Sequence, residues 1–248
     1  MASSIMKQMI IGIHLLTHLA CQCICAQTST PINTDRPDQS DGTYTMSKNS
    51  FQLESGFIFG KEVETYFLHN TMVRYGITSS TEIRLLFDYG SIGEQTGILA
   101  PGISIKQYLF PQKKWIPEMT AVGYIRIPYL ATDYFKTDHP AATLLLAFQN
   151  TVSGKFSVGY NLGATLDGDH AYTTWIVTTS LVYTPSKYLS FFAEYFSSFG
   201  FVLKPANNID IGVLWLVKDN LQIDLALGTT IAQEQKNRFV TTGLSYRF

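Results

Sequence analysis

The chain has 248 residues and a formal net charge of −1, and only 15% of it is charged while 13% is aromatic. A soluble domain carries about 25% charged residues, so this surface has little charge to keep it in water. The near-zero charge gives no electrostatic case for nucleic acid. Mean hydropathy is +0.07, and past the N-terminus no apolar run approaches the roughly 18 residues of a spanning helix. This combination suggests a membrane barrel, in which lipid-facing residues alternate with polar ones and the mean hydropathy stays near zero.

Residues 1–26 read as a signal peptide. Lys7 supplies the positive region, Met9 to Leu16 an apolar core interrupted by His14, and small or apolar residues follow to Ala26. The core is too short to span a bilayer. Cleavage after Ala26 removes all three cysteines, Cys21, Cys23 and Cys25, which leaves no disulfide and no Cys-ligated metal. The rival reading is a lipoprotein acylated at Cys21 after Leu19-Ala20, against which stands His18 in a position where an aliphatic residue is usual.

Residues 27–49 are polar, rich in Thr, Ser, Asp, Asn and Pro, and do not alternate. They form a separate segment, either a periplasmic tail or a plug folded back into the barrel. As plug candidates, Asp35, Arg36 and Asp38 would pair with wall residues such as Arg84 or Glu194; as a tail they would be solvated.

Residues 50–248 read as strands of period two. In Thr81–Tyr89, Ile83, Leu85, Phe87 and Tyr89 share one face while Glu82, Arg84 and Asp88 share the other. Helical neighbours lie three and four apart and would not separate them in this way. The pattern predicts 12 strands over 50–60, 65–76, 80–90, 98–109, 115–127, 140–150, 155–166, 171–183, 188–199, 208–217, 220–229 and 238–248. Pro101 and Pro117 lack the ladder donor and mark strand ends, and Trp115 to Ile127 alternates poorly. Connections alternate between tight turns and longer loops, as in outer-membrane barrels, which places both termini in the periplasm. The expected fold is therefore all-β, a transmembrane antiparallel up-and-down β-barrel in the bacterial outer membrane, surrounded by its lipid. Tyr75, Tyr183 and Phe248 fall at the periplasmic ends, and the terminal Phe248 is like the aromatic that such barrels present to the assembly machinery.

The inward parity carries Glu54, Arg74, Glu82, Arg84, Asp88, Lys106, Arg126, Glu194, Asp210, Asp224 and Arg247. Arg or Lys facing lipid at the midplane costs roughly 2–4 kcal/mol, so the lumen is their place. They are either a conduit for a solute or a salt-bridge network that closes a narrow barrel. The mixed signs argue against a strongly ion-selective pore, which shows rings of one sign. Catalysis is not expected. A nucleophile needs a base oriented by a third group, and only His69, His139 and His170 follow the signal region; His69, on the apolar parity, could meet a serine on the lipid-facing wall of a lipid-modifying hydrolase. These histidines are scattered, so no metal is expected. No nucleotide motif or energy-coupling box occurs, so no cofactor is expected and any transport is passive.

Asn33-Thr34-Asp35-Arg36-Pro37-Asp38 followed by Phe51-Gln52-Leu53-Glu54-Ser55-Gly56 resembles the transporter-like outer-membrane proteins grouped as "putative MetA-pathway of phenol degradation". Val73–Thr78, Phe192–Tyr195 and the closing Gly243–Phe248 also look like that family, in the same order along the chain. The resemblance implies passage of small solutes, aromatic or hydrophobic ones by the family's name. It names no phenol-binding residue here.

Overall fold

The computed structural model describes residues 31–169, 172–200, 205–231 and 236–248. The signal-peptide reading of residues 1–26, with its cysteines, and His170 lie outside the described residues.

Thirteen strands occur among them: β1 (Phe51–Lys61), β2 (Thr65–Gly76), β3 (Thr81–Ile92), β4 (Gln95–Ile98), β5 (Gly102–Phe110), β6 (Glu118–Arg126), β7 (Ala141–Thr151), β8 (Phe156–Leu166), β9 (Thr173–Ser186), β10 (Leu189–Gly200), β11 (Ala206–Lys218), β12 (Leu221–Ile231) and β13 (Arg238–Arg247). Sequential antiparallel pairing runs round to β13, which pairs with β1 from Gln52↔Arg247 to Lys61↔Arg238. Closure pairs the staves all the way round, as a bilayer demands, since an unsatisfied backbone group there is costly; the short β4 has β3 as its one strand partner among the described residues.

The barrel has 12 staves because β4 and β5 are two pieces of one. Both pair with β3, β4 beside Tyr89–Ile92 and β5 beside Thr81–Leu86. The expected strand 98–109 is broken at Leu99–Pro101, where Pro101 can donate no ladder hydrogen bond. The poorly alternating stretch from Trp115 is strand only from Glu118, directly after Pro117. The other boundaries agree with the alternation to within three residues.

The burial pattern is inverted relative to a water-soluble protein. Along β3, Glu82 and Arg84 are fully buried, while Leu85 and Phe87 are 39% and 50% exposed. Side chains alternate across a strand, so polar residues fill the lumen and Phe57, Ile105, Leu144, Ile211 and Leu227 form the outer belt. The ring pairs Phe51–Tyr75 (tilted, 4.5 Å) and Phe156–Tyr183 (stacked, 4.8 Å) sit where these staves end at the short turns, as an interfacial aromatic girdle does. The opposite end carries the longer loops; the one from Pro128 folds over β4 through Thr132 N to the Ile98 carbonyl, 2.9 Å.

Ile211 lies midway along β11 on this belt. Ile211→Lys is expected to destabilise the vesicle-reconstituted protein by about 2–4 kcal/mol, measured by urea unfolding, while Leu130→Lys in the loop leaves stability unchanged.

Candidate functional site

The polar segment before β1 lies inside the barrel. It enters at the turn end, where Ile32 N donates to the Asp219 carbonyl (2.8 Å), and leaves at the same end, where Asn49 N donates to the Gly76 carbonyl (2.8 Å). Buried Ile32 and Met46 anchor its two feet. Between them the chain rises into the lumen and returns, and Gly42 N donates to Asp35 Oδ1 (3.1 Å) across the loop.

Consecutive residues of an extended chain point to opposite sides, and Asp35 and Arg36 do so. Asp35 faces β2, β3 and β5: its carboxylate lies 3.4 Å from Arg74, 3.0 Å from Arg84 and 2.8 Å from Lys106. All three cations have fully buried side chains. Arg74 also pairs with Glu54 and Glu82, each at 2.7 Å, and Arg84 with Asp41 at 2.7 Å. Lys106 has Asp35 as its only carboxylate partner among the described residues. Arg36 faces β12 and β13, where it donates to both oxygens of Asp224 (3.3 and 3.2 Å) and to Thr241 (3.1 Å). The Arg36–Pro37 peptide is cis.

The tip rests on β8, β9 and β10. Glu194 accepts from Gln39 N (2.7 Å) and from the Ser40 hydroxyl. Asn161 holds the Asp41 backbone by two hydrogen bonds, and Tyr124 donates to the Asp41 carboxylate (2.5 Å). On the return, Thr43 meets Glu118 and Thr120, and Met46 N donates to Glu82 (2.8 Å).

Two glycines make room for this. Gly56 and Gly243 oppose each other across β1 and β13, and the Arg36 guanidinium lies over both. A Cβ on Gly56 would stand 2.1 Å from Arg36 Nη2, and one on Gly243 2.7 Å from its Nε.

Of the other candidates, Asp88 pairs with Arg126 (2.6 Å) nearer the loop end, and Arg247 is buried at the turn end. Asp210 lies opposite Glu194 across the ladder, and neither of its oxygens has a hydrogen-bond partner among the described residues. Among the described residues Asp38 forms no salt bridge. Burial pushes its carboxyl well above the usual carboxylate range, and the negative Glu194, Asp35 and Asp210 push it further. Burial would raise Asp35 too, but Arg74, Lys106 and Arg84 more than reverse that and hold it below the usual range.

Sequence reading did not single out Ser40, Asp41, Tyr124 or Asn161. Asp41 sits in a segment without periodicity, and Tyr124 in the strand that alternates worst. His69, unexplained by parity, accepts from or donates to Ser55 (Nε2 to Oγ 2.9 Å) on the outer face and stacks on Phe57. No carboxylate or amide side chain bonds its ring among the described residues, and neighbouring backbone amides are committed to the β1–β2 ladder. Among the described residues the ring's side-chain hydrogen-bond partners are the Ser55 and Thr71 hydroxyls. No group of metal-ligating side chains occurs among the described residues.

Above the segment lies a cavity of about 270 Å³. Its floor is Arg36, Asp38 and Asp41; its wall includes apolar Ile58, Met72 and Leu86 beside Asn70 and the Asp88–Arg126 pair.

The sequence profile described as "Putative MetA-pathway of phenol degradation" matches residues 34–248. Among solved structures, an outer membrane channel from Pseudomonas putida F1 superposes with a TM-score of 0.68 at 10% identity, covering 86% of this chain and all of that one. The NanC porin gives 0.60 at 7% identity over 78% and 98%, and the KdgM porin in complex with disordered oligogalacturonate 0.58 at 8% over 79% and 99%. At these identities the likeness is one of fold. No curated protein matches the sequence.

Gly56→Val is expected to dislodge Arg36 and speed proteinase K cleavage between residues 31 and 49 of the folded protein. Gly154→Val, where a Cβ meets nothing within 4 Å, leaves the rate unchanged.

Proposed function

We propose, from the premise that the chain belongs to the family described as "Putative MetA-pathway of phenol degradation", that it is an outer-membrane channel for passive passage of small solutes, aromatic or hydrophobic ones included, gated by its own residues 31–49. The observation that carries this reading is the lumen itself: a polar, charge-rich interior occupied by a segment held largely through hydrogen bonds and ion pairs, with a cavity above it. Side chains fill a barrel of about eight strands, and 16 to 18 leave an open channel. Twelve staves leave a bore that one chain segment can close.

The turn end, with both feet of the segment, faces the periplasm, and the longer loops face outward. Phe248 is the mark read by the barrel assembly machinery. The reading is non-enzymatic, in keeping with the outer membrane channel and porins whose fold the chain shares. The second reading is a closed structural barrel, favoured by one observation: Arg74, Arg84 and Lys106 are each paired with a carboxylate and shut off from solvent.

Planar-bilayer recordings separate the two. The full-length protein is expected to conduct weakly and the variant lacking residues 31–49 severalfold more; equal, negligible currents from both would leave the closed barrel standing.

Gating is also expected to depend on pH. A carboxyl whose pKa rises on docking takes up a proton there, so docking through Asp38 is strongest below about pH 3.9, the ordinary Asp value, and weakens as pH climbs through the raised value. Asp35 has the opposite sign: its contribution is complete above about pH 3.9 and is lost only as pH falls through its lowered value. Conductance should therefore rise as pH climbs through the raised Asp38 value, and Asp38→Asn should reduce that slope.

A further inference from the structure

Asp35 occupies a socket that the barrel wall builds without it. Arg74, Arg84 and Lys106 come from three adjacent staves and converge on one carboxylate that belongs to none of them. Guanidinium groups present paired donors that match the two oxygens of a carboxylate, and such hydrogen bonds are among the strong ones. With the segment docked, three cations face four carboxylates: Asp35, Asp41, Glu54 and Glu82. Asp35 and Asp41 leave with the segment. Three cations then face two wall carboxylates, a local charge of +1, and Lys106 has lost its only carboxylate partner among the described residues. Burying an unpaired charge is costly, so the emptied socket calls for an anion.

The same cavity supplies the rest of a ligand site. Asp35 and Arg84 line it together with Ile58, Met72 and Leu86. A cavity of about 150 Å³ accommodates benzene, so about 270 Å³ accommodates one ring, a carboxylate and a few waters.

We propose that the Arg74–Arg84–Lys106 socket binds the carboxylate of a small, ring-sized solute, and that Asp35 is its built-in occupant, a cis-acting competitor displaced when the solute arrives. The proposal rests on the channel reading and gives that channel a solute class, small aryl or alkyl carboxylates.

The test is calorimetry on the full-length protein in detergent, with heat-modifiable gel migration to confirm folding. The probes are benzoate, its neutral isostere benzamide, and inorganic phosphate. Asp35→Ala is expected to bind benzoate about tenfold or more tighter than benzamide, the scale of charge-assisted hydrogen bonds, and tighter than wild type. Lys106→Met added to Asp35→Ala should erase the preference. Equal affinity for benzoate and benzamide in folded Asp35→Ala overturns the proposal, and so does phosphate outcompeting benzoate. Should Asp35→Ala not fold, wild type serves instead: benzoate, and not benzamide, accelerates proteinase K cleavage within residues 31–49, and no acceleration overturns the idea. Bilayer currents keep the two readings apart. A variant that prefers benzoate yet conducts no more than wild type overturns the channel and leaves the socket; one that conducts without the preference does the reverse.

Discussion

The closed hydrogen-bonded wall governs everything else in this molecule. A bilayer supplies no partner for backbone amides or for charges, so the staves must pair all the way round and the charged side chains along their middle must turn inward. That turns the ordinary logic of a protein interior over. The belt of Phe57, Leu85, Phe87 and Ile211 meets lipid, and the largest side chains shut away from solvent include Arg74, Arg84, Lys106, Glu54 and Glu82 in the lumen. This charged cluster is stable only while charges stay matched, because removing one member of a buried pair costs about 3–5 kcal/mol.

The segment before β1 supplies part of that matching. Arg84 and Lys106 on one wall and Asp224 on the other are satisfied by Asp41, Asp35 and Arg36 from a chain that is not itself part of the wall. Gly56 and Gly243 show that the wall is shaped to receive it, since no other residue type leaves the guanidinium its place. Segment and lining are therefore one electrostatic unit: ion pairs join them across the lumen.

Much of the fold was legible because lipid imposes a strict rule. Period-two alternation with inverted polarity located β2, β3 and β12 almost to the residue, since an error of one position would put Glu82 or Asp224 into the bilayer. Legibility failed where that rule is relaxed. Pro101 splits a stave, and the pattern alone could not show that both pieces still lie along β3. In the lumen, outside the reach of lipid, no periodicity applies. Sequence could nominate Asp35, Arg36 and Asp38 as charged residues in a polar stretch, but not assign Asp35 to one wall and Arg36 to the other. Asp41 and Asn161 gave no signal because what joins them is a contact across 120 residues, with no local pattern at either end.

The segment's two feet, at Asp219 and Gly76, stand on the same rim of the barrel. Its path is thus a loop dipped into a well, not a cord passed through a ring. No strand pairing has to open for it to withdraw, and it leaves no knot or thread behind. A pull from the rim side alone could draw it out, and slackening would let it return. The same topology frees assembly from any order of events, because the loop can enter before β13 meets β1 or after the cylinder is sealed.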